Sequence, residues 1–487
     1  MPHGRTRAGP AAGWSSWLYL GAWAAALIDQ FGGLRLVGDV AGLAMLSFLL
    51  LEFPRQRPYA KVLFLALFGI GMIGVARASD PAGLFLAGWR RGADYGAFFL
   101  ALSSLRDAAE TSPLVRRCGQ HLVAQPPGRR YAALTGGGHL FGIILSYGAI
   151  ELLGAMVMRA NTLQAAGGSV QIQSMRSRRM LMAIYRGFCA MNCWSPLNLM
   201  TAVVSTAVPA APMRLLLPIG FVVSVGMTVL GWLEDRLSAR RRGELIERAG
   251  QTNESWAIHA RIVALVMGVM VLAEAGSILL GVSLVAIVTL LVPMVGLAWI
   301  LIQMRHFVTS GRSGSAWSRG LGVLRRRAAR FVLRVPAFRS EATVLATSGF
   351  MGVAVGGALP HAGLEPIIGH LPAVLVPLLV PVLLIATGQL GLNPVAVIAL
   401  LGAAMPNPAL FGIPPSVLAF ACMLGWGLAV NMTPMSASAI TTARWAGVSP
   451  WTVSTAWNAA YTGSALILAW GAILLLFIFS SVPLTVP

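Results

Sequence analysis

Long apolar runs separated by short charged segments set the pattern of this chain. Runs at 14–30, 36–53, 60–77, 83–105, 132–158, 213–233, 258–280 and 282–303 approach or exceed the about 20 residues that carry a helix across a bilayer. Further spans are expected within 341–480. The runs are continuous, without the alternation of an outer-membrane barrel. The pattern predicts an all-α, polytopic helical membrane protein, with the lipid bilayer as its surroundings.

Two polar, proline-marked segments interrupt this pattern. The first runs Asn192-Cys193-Trp194-Ser195-Pro196-Leu197-Asn198-Leu199-Met200-Thr201, the second Asn431-Met432-Thr433-Pro434-Met435-Ser436-Ala437-Ser438. Pro196 and Pro434 lie 238 residues apart (434 − 196), as do Pro212 and Pro450 (450 − 212). Under that offset Ser195 meets Thr433 and Asn198 meets Ser436. A weaker match, at an offset of 210, lays Arg129 to Gly142 on Arg339 to Gly352. Paired broken segments in two halves of a membrane chain mark secondary transporters with inverted-topology repeats. The organisation expected is N-terminal scaffold helices over 1–131 and a first transport repeat over 132–257, with its broken or re-entrant hairpin near 181–211. Linking spans and a basic cytoplasmic loop would fill 258–340, and a second repeat 341–487, with its hairpin near 431–448.

Charge distribution orients this scheme. The net charge is +20, but the arginines cluster in loops between apolar runs, which is the positive-inside pattern and not a nucleic-acid surface. With the loops at 106–131, 234–257 and 304–340 in the cytoplasm, 132–233 must cross an even number of times. A span at 132–158, a re-entrant hairpin at 181–211 and a span at 213–233 satisfy that. They also leave Arg176, Arg178 and Arg179 outside, against the rule. Glu234 to Glu254 reads as a cytoplasmic or interfacial helix. Arg5 and Arg7 precede an apolar stretch, Trp14 to Ile28, that reads as a first transmembrane helix rather than a cleaved signal. The localisation expected is the bacterial inner membrane.

Proline removes a backbone donor and disfavours helix at the residue before it, so Ser195-Pro196 and Thr433-Pro434 are places for a helix to stop. Broken backbone at membrane depth survives only inside protein or along a polar cavity. Ser195, Asn198, Thr433, Ser436 and Arg444 are the candidate solute-binding residues. Asn431, Ser438, Thr201, Glu151 and Glu274 are the candidates for ion coupling. Helix N-termini at such breaks attract anions, and intramembrane carboxylates can carry a proton. Arg186 is a second cation that could face an anionic solute, and Arg90 could pair with Asp94 at i, i+4. The alternative is that the prolines kink helices and the hydroxyls bond back to carbonyls. Cys118, Cys189, Cys193 and Cys422 make no metal pattern, and His139 and His361 have no ligand spacing around them. No P-loop, G-x-S-x-G or H-E-x-x-H is present, so the reading is of a non-enzyme without cofactor, using Na+ or H+ as coupling ion.

On these segments, and on the helix start Gly391-Leu392-Asn393-Pro394, the chain resembles the ion transporter superfamily of arsenite, citrate and dicarboxylate permeases and tripartite-transporter membrane subunits. The resemblance covers about 129–480. It implies solute and cation sites at the hairpin tips, with Ser195, Pro196 and Asn198 at one and Thr433, Pro434 and Ser436 at the other. It also implies an elevator movement, homodimers and, in one branch, an extra transporter subunit. Neither motif contains the Ser-Asn-Thr triplet of the dicarboxylate branch. The function expected is secondary transport of a small anionic solute. A glycan polymerase or ligase acting on lipid-linked substrate is the second reading, with the arginines of 159–179 holding lipid phosphates.

Overall fold

The computed structural model describes residues 11–241, 255–309, 316–357 and 370–481. His361 and the charged residues at 242–254 lie outside that set. Among the described residues every regular element is helical, and seven helices are long and apolar enough to cross a membrane. The multi-pass, all-α expectation is borne out.

The chain divides into two compact units. The first gathers the described residues of Met1–Ala108, Val271–Pro360 and Gly402–Ala404. It contains α1 (Ala11–Gly32), α2 (Arg35–Glu52), α3 (Pro58–Arg77) and most of α4 (Pro81–Glu110). Here α1 packs on α2, around a core in which Trp89 stacks on Phe350 at 4.9 Å. The helices at 11–32 and 81–110 coincide with expected spans but are not among the seven apolar ones. Their charges are used inside the unit: Arg90 reaches Asp39 of α2 at 2.5 Å, and Asp94 accepts from Gln30 and faces Arg91 at 3.5 Å. The anticipated Arg90–Asp94 pair gives way to a cross-helix one because Asp39 offers a shorter partner.

The second unit gathers the described residues of Ala109–Met270, His361–Leu401 and Met405–Pro487. It opens with α5 (Pro113–Val123), α6 (Pro127–Leu145) and α7 (Gly148–Ala160). The expected span at 132–158 is not one helix. Ser146 has φ +51°, the one non-glycine residue in the left-handed region among those described, and the chain reverses there. Helix α7 then returns against α6. An average over the apolar run conceals this turn, whose sequence trace is the short interruption Ser146-Tyr147-Gly148.

After a turn at 161–169 comes α8 (Val170–Met191), capped by Ser169 accepting from the Ile172 N–H at 3.3 Å. It runs parallel to α6, with Gly187 against Thr135 and Gly142 against Phe188 and Met191. Since α6 and α7 go out and back, the basic residues at 159–179 start on the same side as the loop at 106–131. This removes the conflict with the positive-inside rule. The even number of crossings is kept, with the out-and-back pair upstream of the motif and not within it.

The chain continues through α9 (Leu199–Ala207) and α10 (Met213–Arg241) into α11 (Ala257–Leu280), which passes from the second unit to the first at Val271. Glu234, Asp235 and Arg236 prolong α10 and do not begin a separate helix. The first unit then adds α12 (Leu284–Thr309), α13 (Ala316–Arg334) and α14 (Arg339–Gly356). Because α14 packs on α3 while α6 packs on α8, the 210-residue match does not pair equivalent helices.

The remaining helices are α15 (Leu375–Gln389), α16 (Pro394–Ala404), α17 (Pro415–Met432), α18 (Ala437–Ala446) and α19 (Ala459–Ser481). Moving α9 by 238 residues gives 437–445, and α18 occupies 437–446. Moving α10 gives 451–479, and a π-helical turn at Thr452–Ala456 followed by α19 fills it. The pairing is reciprocal as well. Helix α9 packs on α17, and α18 packs on α8. Within 181–211 and 431–448, of the two forms expected, the broken helix is the one observed.

Helices α8 and α17 cross in opposite directions. Tyr185 donates to the Asn431 carbonyl at 2.8 Å, while farther along α8 the Cys193 thiol and Cys189 carbonyl fill the space that a Cβ on Gly427 would take. Cys189 and Gly427 are equivalent under the same offset (427 − 189) and touch each other. Contact between equivalent residues is what a two-fold relation places at its axis.

Close packing of α6 on α8 relies on small residues, as in other membrane helix pairs. A Cβ on Gly187 would lie 2.0 Å from the Thr135 carbonyl oxygen, and one on Gly138 2.3 Å from that of Ile184. Gly187→Ala and Gly138→Ala are each expected to destabilise by about 1–3 kcal/mol in thermal melts of the detergent-purified protein. Gly136, where a Cβ meets nothing, is the control. Gly136→Ala is expected to be neutral or stabilising by up to about 1 kcal/mol.

Candidate functional site: two helix breaks in one unit

At the first break α8 ends in tight turns. The N–H groups of Cys193, Trp194 and Ser195 bond to the carbonyls of Ala190 and Met191. Pro196 has no N–H with which to prolong them. Asn198 then caps α9, accepting from the Met200 N–H at 2.9 Å and donating to Asn192 Oδ1 at 2.8 Å. Thr201 ties the first turn of α9 back to the Ser195 carbonyl at 2.8 Å, and Trp194 donates to His139 Nε2 at 2.8 Å. Asn198 and Thr201 therefore hold the shape of the break. The Ser195 hydroxyl, fully buried, has no hydrogen-bond partner among the described residues.

The second break is built alike. The Thr433 N–H closes α17 on the Ala429 carbonyl, and Pro434 prevents continuation. Ser436 caps α18, accepting from the Ala439 N–H at 3.1 Å and donating to the Thr433 carbonyl at 2.9 Å. Ser438 bonds to Ser436, and Gln389, at the end of α15, donates to the Met432 carbonyl at 2.5 Å. Asn431 donates to Thr462 at 3.0 Å, but its Oδ1 is buried without a partner, as is Thr433 Oγ1.

The carbonyls of Ala190, Met191, Asn431 and Met432, freed by the breaks, are all engaged by protein donors. What remains open is one hydroxyl from the first break, with a hydroxyl and an amide oxygen from the second. Each break also presents the positive end of a short helix, α9 or α18. Tyr185 extends from α8 to the carbonyls of Val430 and Asn431 at the second break. A buried unpartnered polar atom costs about 1–3 kcal/mol, and two of the three, Ser195 Oγ and Thr433 Oγ1, stand at positions matched by the 238-residue offset.

The other sequence candidates fall elsewhere. Glu151 of α7 forms an ion pair with Arg444 of α18 and accepts from Trp445 Nε1 at 3.2 Å. That pair is largely exposed and fastens two helices to each other. Glu274 belongs to the first unit, apart from the motif-bearing unit. Among the described residues no cluster of His, Cys, Asp and Glu could hold a metal ion. A cavity of about 480 Å³ opens in the second unit away from the breaks, lined by Leu122, Arg129, Gly136, Trp232, Trp256 and His259 among others. Its apolar wall offers little to a polar solute.

Sequence reading missed Tyr185, Gln389 and Asn458. Asn458 donates to the Asn431 carbonyl at 3.0 Å and accepts from Arg186 Nε at 2.9 Å. Gln389 is the one with a trace, a lone amide closing an apolar helix.

The sequence matches no protein-family model and no curated protein. The fold is similar to that of the Alcanivorax borkumensis YdaH transporter, whose crystal structure has an unusual topology. The similarity covers 87% of this chain and 99% of that one, at a TM-score of 0.55 and 16% identity. The chain thus has the fold of a polytopic membrane transporter.

The caps and the open hydroxyl should separate in the solute-free protein. Ser436→Ala is expected to lose about 1 kcal/mol of stability with its cap. Ser195→Ala removes a buried hydroxyl that bonds to nothing, so the variant is expected to be more stable than the parent, by up to about 1–3 kcal/mol.

Proposed function

We propose that the protein is a secondary transporter that moves a small anionic solute across the bacterial inner membrane, driven by H+ or Na+. The observation that carries this reading is the set of three unpartnered buried oxygens, Ser195 Oγ, Asn431 Oδ1 and Thr433 Oγ1, contributed by both breaks within one unit. Two hydroxyls and the positive ends of α9 and α18 suit an anion, and Asn431 Oδ1 suits a donor on the same solute. Similarity of fold to a transporter supports the class, and the opposed crossing of α8 and α17 supports an inverted repeat. Both fit the resemblance to the ion transporter superfamily, whose members are commonly homodimers.

The polymerase reading loses its footing in the arginines. Arg179 is paired with Asp235 at 2.8 Å, Arg176 donates to the Ala165 carbonyl, and Arg178 stacks over Trp457 at 4.8 Å. Three of the four arginines of that stretch are thus engaged by the protein itself.

A thermal-shift screen of carboxylates, sulfonates, oxyanions and neutral solutes, with and without Na+ and at two pH values, tests the proposal. A cognate solute at about 100 times its Kd is expected to stabilise by about 2.7 kcal/mol. Ser195→Ala or Thr433→Val should each reduce the shift by about 1 kcal/mol, and the same solute should be taken up by proteoliposomes. Stabilisation by lipid-linked sugars alone would overturn the proposal.

A further inference from the structure

The cavity of the second unit, about 480 Å³, plays no part in the two breaks. It runs from the start of α6, beside Trp232 of α10 and Trp256 at the start of α11, as far as Leu140. Along α6 its wall is the row Gly128, Ala132, Gly136 and Leu140. Residues at every fourth position share one helix face, and this row extends for about 18 Å. Gly128, Ala132 and Gly136 are exposed, and a Cβ on either glycine would meet no atom within 4 Å. The row is an open apolar groove, and one end of it carries charge. Arg129 lines the cavity, is exposed, and forms no ion pair or hydrogen bond among the described residues. We propose that this groove binds an anionic phospholipid, with the phosphate at Arg129 and one acyl chain along α6.

His259, also in the wall, offers a second donor to the head group. Gln125 Nε2 donates to the His121 carbonyl at 3.2 Å and faces His121 Nε2 at 3.1 Å, which assigns that ring nitrogen as an acceptor. His121 therefore carries its proton on Nδ1 and donates to His259 Nε2 at 3.0 Å. The proton of His259 is left on Nδ1, with no partner among the described residues. Trp232 and Trp256 stand at the same end, as indoles do at a membrane–water boundary, and Arg236 lies over the Trp232 ring at 4.6 Å. Arg236 too is exposed and forms no ion pair among the described residues. Its neighbours Glu234 and Asp235 are held by Arg186 at 2.9 Å and Arg179 at 2.8 Å, so they leave both arginines uncompensated. Among the described residues no carboxylate lines the cavity. That decides the sign of the head group. A zwitterionic one brings an ammonium for which the wall has no counter-charge, whereas an anionic one brings only what two free guanidiniums complement.

The test is native mass spectrometry of the full-length protein, purified in detergent and titrated with phosphatidylglycerol or with phosphatidylethanolamine of the same acyl chains. The parent is expected to bind phosphatidylglycerol about tenfold more tightly, and Arg129→Gln to lose about tenfold in that affinity and with it the preference. Gly136→Leu puts a side chain into the open groove and should weaken both lipids, again about tenfold. Arg330→Gln, at an exposed arginine of α13 in the first unit, removes the same charge elsewhere and should change neither. Equal binding of the two lipids by the parent would overturn the proposal. So would a preference that survives Arg129→Gln or falls equally in Arg330→Gln, or unchanged binding in Gly136→Leu. Should Gly136→Leu not fold, the two arginine variants suffice for the decision. No transported solute enters this experiment, so its failure leaves the transporter reading standing, and a failed solute screen leaves the lipid groove standing.

Discussion

The opposed crossing of α8 and α17 at Cys189 and Gly427 fixes where the polar groups of the second unit can stand. Both helices break within about a turn or two of that contact, at Ser195-Pro196 and Thr433-Pro434. Because the directions oppose, each short helix continues onto the other half's long helix, α9 onto α17 and α18 onto α8. A side chain on Gly427 would enter the space of the Cys193 thiol and push the helices apart. The breaks lie on opposite sides of that contact, six residues beyond Cys189 on α8 and six beyond Gly427 on α17.

Energetics at the breaks follow from that packing. In a bilayer interior a freed carbonyl or N–H must find a protein partner, and nearly all here do, through Asn198, Thr201, Ser436, Tyr185, Gln389 and Asn458. These side chains make the broken backbone tolerable. Ser195 Oγ, Asn431 Oδ1 and Thr433 Oγ1 stay open at a cost in stability that a bound solute can offset. Structure and function therefore divide by atom and not by residue. Asn431 does both, holding Thr462 with its nitrogen and leaving its oxygen free.

Much of this was legible in the sequence because proline acts locally. Pro196 and Pro434 each disfavour helix at the residue before them, and their common offset pairs Ser195-Pro196 with Thr433-Pro434. The turn at Ser146 was not legible, since one residue with positive φ inside an apolar run leaves no trace in an averaged hydropathy. Long-range partners were equally hidden. Arg186 finds Asn458 across 272 residues and Glu151 finds Arg444 across 293, so neither partner can be named from its own neighbourhood. A lone intramembrane charge signals only that a partner must exist.

The central claim, that the two breaks bind one solute together, is tested most directly by a double-mutant cycle on solute affinity. Ser195→Ala, Thr433→Val and the double variant would be titrated with the transported solute by calorimetry. Two groups of one cradle should show a coupling energy of about 0.5–3 kcal/mol, the second loss being smaller once the first has occurred. Strict additivity, within about 0.3 kcal/mol, would contradict a shared site and return each break to the role of a kinked helix.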